Sequence, residues 1–213
     1  LLLLSLIVSL PSLVVLAGGL PFRGMGWTQG TLYNAAFTFA FGALIDGAVV
    51  YGTFGALQGR GFDLGGSLAT AMRRLLPLVG LGLLAGVGVG LGLVALIAPG
   101  LMAATIWYVA APAIVVEREG VFAALGRSAR LTKGDRWRVF AILALIFVAG
   151  IFIDRILRGV LVTKAGYVAV SVIIQLVNGL FVAFSSVTRT AVYAQLRQAR
   201  EGVSVEQIAE VFA

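Results

Sequence analysis

The chain has 213 residues and contains neither cysteine nor histidine. Without cysteine there is no disulfide framework, no thiolate zinc site and no thiol nucleophile. Without histidine there is no imidazole base and no histidine metal ligand. Charge is scarce as well: 12% of residues are Asp, Glu, Lys or Arg, with only nine carboxylates, against ~25% charged residues in an ordinary soluble domain. Most hydrolytic chemistry is thereby excluded, and neither a metal nor a cofactor is expected.

What remains is overwhelmingly apolar. Hydrophobic residues make up 60% of the chain, and the mean hydropathy is +1.04. A soluble chain of this length has no way to bury so much apolar surface, so the composition reads as a polytopic membrane protein. The 28 glycines agree, because glycine is more frequent in transmembrane helices than in soluble ones. The expected class is all-α: one integral membrane domain over 1–213, with about six spans at 1–20, 31–57, 75–98, 101–116, 137–157 and 165–187 and a tail at 188–213. Pro99-Gly100 is expected to close the third span with a tight turn. A closed β-barrel is the other way to cross a bilayer, but its strands alternate apolar and polar residues, and these runs are continuously apolar. The chain begins with Leu rather than Met and reads as a piece of a longer one. Its first run lacks a basic flank and an A-x-A site, so it reads as a span and not as a cleaved leader.

The net charge of +7 would suggest nucleic acid in a soluble protein. Here the basic residues lie in short segments between apolar runs, where they report topology. Segments 58–74 and 117–138 and the tail hold twelve Lys and Arg; the alternate segments hold four. The positive-inside rule therefore places both termini in the cytoplasm, and no nucleic-acid partner is expected. Two of the basic segments are amphipathic. Leu64, Leu68, Ala71, Met72 and Leu75 form one stripe with Arg73 opposite, and Asp63 or Ser67 is its expected cap. Val121, Phe122, Leu125 and Ala129 form another, with Arg127 and Arg130 on the far side and Gly134 as the stop. Both read as helices lying in the membrane interface or packed against the end of the bundle. In the tail, a break at Gly202 is followed by a capping box, Ser204 with Gln207, which predicts a short helix from about Val205 to Val211.

Residues 112–138 read PAIVVEREGVFAALGRSARLTKGDRWR. Pro112, Glu117, Gly120, Ala124-Leu125, Ser128, Leu131-Thr132-Lys133-Gly134 and Trp137-Arg138 in this order resemble the prokaryotic family of glycerophosphoryl diester phosphodiesterase membrane domains. The glycine-rich third span and the run from Tyr193 to Phe212 agree, so the resemblance covers roughly residues 30–213. It implies a multi-span helical module of a prokaryotic cytoplasmic (inner) membrane. In that family hydrolysis belongs to a separate barrel that uses histidines and carboxylate-bound metal, so the resemblance implies no catalytic residue in this chain.

Five groups of residues are singled out as candidates. Asp46 is the clearest charge within a span, read as a proton or cation site or as a structural Asp bonded to Asn34, Gln175 or a backbone carbonyl. Asn34, Gln175 and Asn178 either line a polar path or hydrogen-bond between helices. Gly82, Gly86 and Gly90 repeat every fourth residue, a pattern that lets helices pack closely inside the bundle or between two copies. Glu117 reads as an ion-pair partner sooner than as a catalytic acid, and Ser128 with Lys133 is the weakest of the catalytic pairs weighed. Arg127, Arg130, Lys133, Arg136 and Arg138, with Trp137 among them, form the densest basic cluster. They hold the loop inside and are candidates for anionic headgroup binding. The expected function is that of a non-enzymatic envelope scaffold whose partners are membrane lipids, anionic phospholipid above all, and a membrane protein or a second copy. The alternative is a small transporter or channel using Asp46.

Overall fold

The computed structural model describes residues 39, 42–54, 64–161 and 167–202. Among these residues it is helical throughout: α1 (Gly42–Phe54), α2 (Leu64–Arg73), α3 (Leu75–Ala95), α4 (Ile97–Ile106), α5 (Ala110–Glu117), α6 (Val121–Leu131), α7 (Arg136–Leu161) and α8 (Tyr167–Glu201). Four stretches are long and apolar enough to cross a bilayer: Leu75–Ala95, Ile97–Glu117, Arg136–Gly159 and Val172–Glu201. They correspond to the third to sixth expected spans. The second is described only as α1, a shorter apolar helix. The first span, Asn34, and the capped helix after Gly202 lie outside the described residues.

Three helix starts share one cause. Pro77, Pro99 and Pro112 each stand third in their helix, in α3, α4 and α5. The first-turn N–H groups of a helix have no partner within it, so proline costs nothing there. What it does prevent is continuation of the preceding helix, because the carbonyl four residues back receives no donor. This corrects the expected turn. The chain breaks at Leu96, which is extended (φ −162°, ψ 139°), and Pro99-Gly100 lie in the first turn of α4 instead of ending α3. The fourth span accordingly starts at Ile97, and the break before Pro112 bends it over Trp107–Val109.

α3 and α4 pack as a hairpin. A Cβ on Gly92 would lie 2.8 Å from the Gly100 Cα, and one on Gly88 would lie 2.6 Å from the Trp107 ring. The glycines that let these helices approach are therefore Gly88, Gly92 and Gly100. Gly82 packs on Phe39, while a Cβ on Gly86 or Gly90 would meet nothing within 4 Å among the described residues. The fourfold glycine repeat is real, but the packed register differs from the expected one.

The core is α5. All residues from Ala110 to Val116 are buried, packed among Phe54, Leu78, Leu81, Ala124, Leu131, Val139, Tyr193 and Leu196. α3 and α7 bury little, and leave Leu83, Val87, Leu91, Val94, Leu145, Phe147 and Phe152 exposed. In water that surface would drive aggregation; against lipid it is the expected outer face. Hydroxyls within the helices bond back one turn, as Thr105 does to Leu101, Ser185 to Phe181 and Thr190 to Ser186. This satisfies them where no water is at hand.

The amphipathic helices turn only part of the expected faces inward: Val121 and Leu125 pack on the core, as do Ala71 and Leu75 on a smaller cluster. In α6 the buried residues are Ala124, Ser128 and Leu131, while Phe122 is exposed. The cause is the break before α5. The Ala110 N–H turns to the Trp107 carbonyl, and the Ile106 carbonyl instead accepts the Ser128 hydroxyl at 2.7 Å and the Thr132 hydroxyl at 3.4 Å. Two polar residues are drawn inward to serve it. In α2, Ser67 and Ala71 are buried and Leu68 and Met72 point out.

Candidate functional site

α8 supplies partners to two polar clusters of the bundle. It continues well past residue 187, with no glycine or proline between Leu180 and Gly202. It ends at Glu201, after which Gly202 takes φ +66°. Ser186, Arg189, Tyr193, Arg197 and Glu201 follow one another at intervals of three or four and so share one face. The first stretch of the expected tail, from 188 on, is thus helix, and its arginines face partners.

Two clusters lie along that face. In the first, Asp46 accepts the Ser186 hydroxyl at 2.5 Å and the Arg189 Nη1 at 2.6 Å. The Arg189 guanidinium carbon also lies 5.6 Å from the centroid of the Tyr108 ring, within cation–π range. Asp46 is thus answered from α8, by Ser186 and Arg189; Asn34 lies outside the described residues. Two donors remain: the Arg189 Nε–H and the Tyr108 O–H are buried and, among the described residues, find no acceptor beyond each other.

These two residues separate two cavities. One, of about 730 Å³, lies between α1, α3, the α4–α5 stretch and α8, with Asp46, Leu81, Gly86, Val89, Trp107 and Val182 on its walls. The other, of about 720 Å³, lies between α7 and α8 and carries Asn178, Asp154 and Arg155 beside Phe147 and Gly150. Tyr108, Phe181, Ser185 and Arg189 line both.

The second cluster ties the ends of α5, α6 and α8 together. Arg127 Nε donates to both Glu117 carboxylate oxygens at 2.8 Å, and its Nη1 lies 2.5 Å from Glu201. Tyr193 donates its hydroxyl to Glu117 at 2.6 Å, and Arg197 donates to Glu201 at 3.0 Å. The Glu201 carboxylate above all, with Glu117, holds the Arg127 guanidinium above its ordinary range, against burial, which pulls it down. Next to this, Arg200 donates to the Leu131 carbonyl at the end of α6 and lies 3.6 Å from Asp135. Gly134 (φ +98°) makes the turn there, and a Cβ on it would lie 2.8 Å from Arg200 Nη2.

The basic cluster of the sequence is therefore split. Arg127 faces inward as a structural cation. Arg130 and Lys133 are exposed. Arg138 is exposed and pairs at 3.1 Å with Asp135, and Trp137 is 83% exposed beside it. Arg136 is half-buried; with Trp137, Phe140 and α4 residues including Ala98 and Met102 it lines a cavity of about 350 Å³. That cavity brings the start of α4 close to the first turn of α7. The sequence signal for the missed partners of Asp46 and Glu117 was the helical period running on through Arg189, Tyr193 and Glu201.

Compared with family models, with curated proteins and with solved structures, the chain matches none. What it does has to be argued from these clusters.

Proposed function

We propose that the chain is a non-catalytic module of a prokaryotic cytoplasmic membrane. It holds lipid, anionic by preference, along the basic edge beside α6, and acts there as a scaffold for envelope components. The observation that carries this reading is the sorting of the basic cluster. Arg127 is consumed in clamping α6, which leaves Arg130, Lys133 and Arg138 exposed around an exposed Trp137. An indole at headgroup depth flanked by cations is the pattern that anchors a protein to an anionic surface. Both termini lie on the cytoplasmic side. The stretch from Leu75 to Val116 has no charged residue, so the basic segments flanking it stay on one side whether its hairpin crosses the bilayer or turns within it. The likeness of residues 112–138 to the phosphodiesterase membrane domains is part of this proposal.

Other readings are less well supported by the same geometry. Glu117, the best carboxylate for acid–base work, is bound by Arg127 and Tyr193. Ser128 donates to a backbone carbonyl. Asp46 is bound by two donors, which argues against an open proton or cation site.

The test is lipid retention by native mass spectrometry from mixed micelles containing equal phosphatidylglycerol and phosphatidylcholine. The protein is expected to retain the anionic lipid preferentially. Changing Arg130, Lys133 and Arg138 to Gln removes about 1 kcal/mol each and is expected to erase most of that preference. Equal retention by the unaltered protein, or an unchanged preference in the triple variant, refutes the reading.

A further inference from the structure

The junction of the two large cavities carries a different kind of site. Three observations meet there. First, the Arg189 Nε–H and the Tyr108 O–H are buried side by side and, among the described residues, find no acceptor beyond each other. A buried donor without an acceptor costs about 1–3 kcal/mol, and two side by side in an otherwise well-bonded cluster mark a place where an acceptor belongs. Second, both residues line both cavities; the two donor atoms themselves are closed to water, so a small side-chain rotation opens them to an incoming group. Third, the walls of the cavities differ. The first is made almost wholly of apolar side chains, among them Leu81, Val89, Trp107 and Val182. The second adds Asn178, Asp154 and Arg155.

We propose that this junction binds an oxyanion-headed amphiphile. Its acceptor oxygens take the Arg189 Nε–H and the Tyr108 O–H, and its hydrocarbon lies in the first cavity. At about 730 Å³ that cavity is of the size that holds small-molecule ligands, about 300–1,000 Å³. Asp46 and Ser186 do not take the head; they hold the guanidinium in place between the cavities. A cationic ligand is the wrong match, because the carboxylate of Asp46 is already taken up by two donors. The head is a carboxylate or a phosphodiester. A fatty acid ends at the junction, whereas a phospholipid carries the rest of its headgroup into the second cavity, toward Asn178 and Asp154. This site is separate from the basic edge at Arg130 and Lys133, and neither proposal depends on the other.

Trp107 on the cavity wall reports occupancy. The chain has three tryptophans, so Trp27→Phe with Trp137→Phe leaves Trp107 alone. This protein, in detergent, is titrated separately with dibrominated stearate and with a dibrominated phosphatidylglycerol. Saturable quenching near one equivalent by at least one probe is expected, and which probe does it names the source. Tyr108→Phe and Arg189→Lys both keep Asp46 partnered while removing one unspent donor. Each is expected to weaken binding about ten-fold. Gly86→Leu fills the first cavity from a position where a Cβ meets nothing, and is expected to abolish saturable quenching. A protein retaining only Trp137, which faces outward, is expected to show only non-saturating quenching. Non-saturating quenching of Trp107 overturns the proposal. So does saturable quenching that Tyr108→Phe and Arg189→Lys leave unchanged, since the head would then not be recognised.

Discussion

Replacing Arg127 by alanine tests whether α6 is clamped to the bundle as the geometry indicates. The guanidinium bonds Glu117 at 2.8 Å and Glu201 at 2.5 Å. The side chains of Arg127 and Glu117 are 16% and 13% exposed. Breaking a fully buried pair from one side costs about 3–5 kcal/mol, and an exposed pair about 0–1 kcal/mol. This pair lies between those limits, and the stranded carboxylates keep other partners: Tyr193 for Glu117 and Arg197 for Glu201. A cost of about 2–3 kcal/mol follows, or about a 30- to 150-fold shift in the unfolding equilibrium. Glu117→Gln leaves Arg127 on Glu201 and is expected to cost less, about 1–1.5 kcal/mol. The double variant should fall short of the sum by about 1 kcal/mol, because the two residues are in contact. The assay is reversible SDS-titrated unfolding in mixed micelles, followed by helix content. Lipid preference, measured in parallel, should not move, because Arg127 is not part of the lipid-facing edge. A change below about 0.5 kcal/mol for Arg127→Ala, or strict additivity in the double variant, refutes the clamp.

Two further predictions use the same titration. Gly92→Ala places a Cβ 2.8 Å from the Gly100 backbone and should destabilise by about 1–3 kcal/mol. Gly86→Ala, with nothing in reach, should be neutral or stabilise by up to about 1 kcal/mol; equal effects at the two positions would mean that the hairpin is packed in another register. Ser128→Ala removes the 2.7 Å donor to the Ile106 carbonyl and should cost about 1–2 kcal/mol, and a neutral result would show that Thr132 alone serves that carbonyl.

Much of the architecture was legible because it depends on local properties. Continuous apolar runs without alternation mean helices in lipid, and four of the expected runs coincide with the long helices. Of the prolines, only Pro99 was read as a break. Its effect was misplaced by three residues, because a proline is tolerated inside the first turn and the break falls before it. The tail was cut at 187 for a similar reason: hydropathy falls there, but the helical period continues to Glu201.

The sequence by itself determined the apolar character, the helical class and the approximate helix limits, since each follows from a window of neighbouring residues. Only the tertiary structure decided which charges meet. Asp46 and Arg189 are 143 residues apart, and Tyr193 and Glu117 are 76 apart. No local rule relates such positions, because a buried charge is answered by whatever helix packing brings within about 3 Å. Packing likewise selected Gly88 and Gly92 over Gly86 and Gly90, turned Ser128 inward to the Ile106 carbonyl that the break before α5 leaves open, and left two donors buried between a pair of cavities.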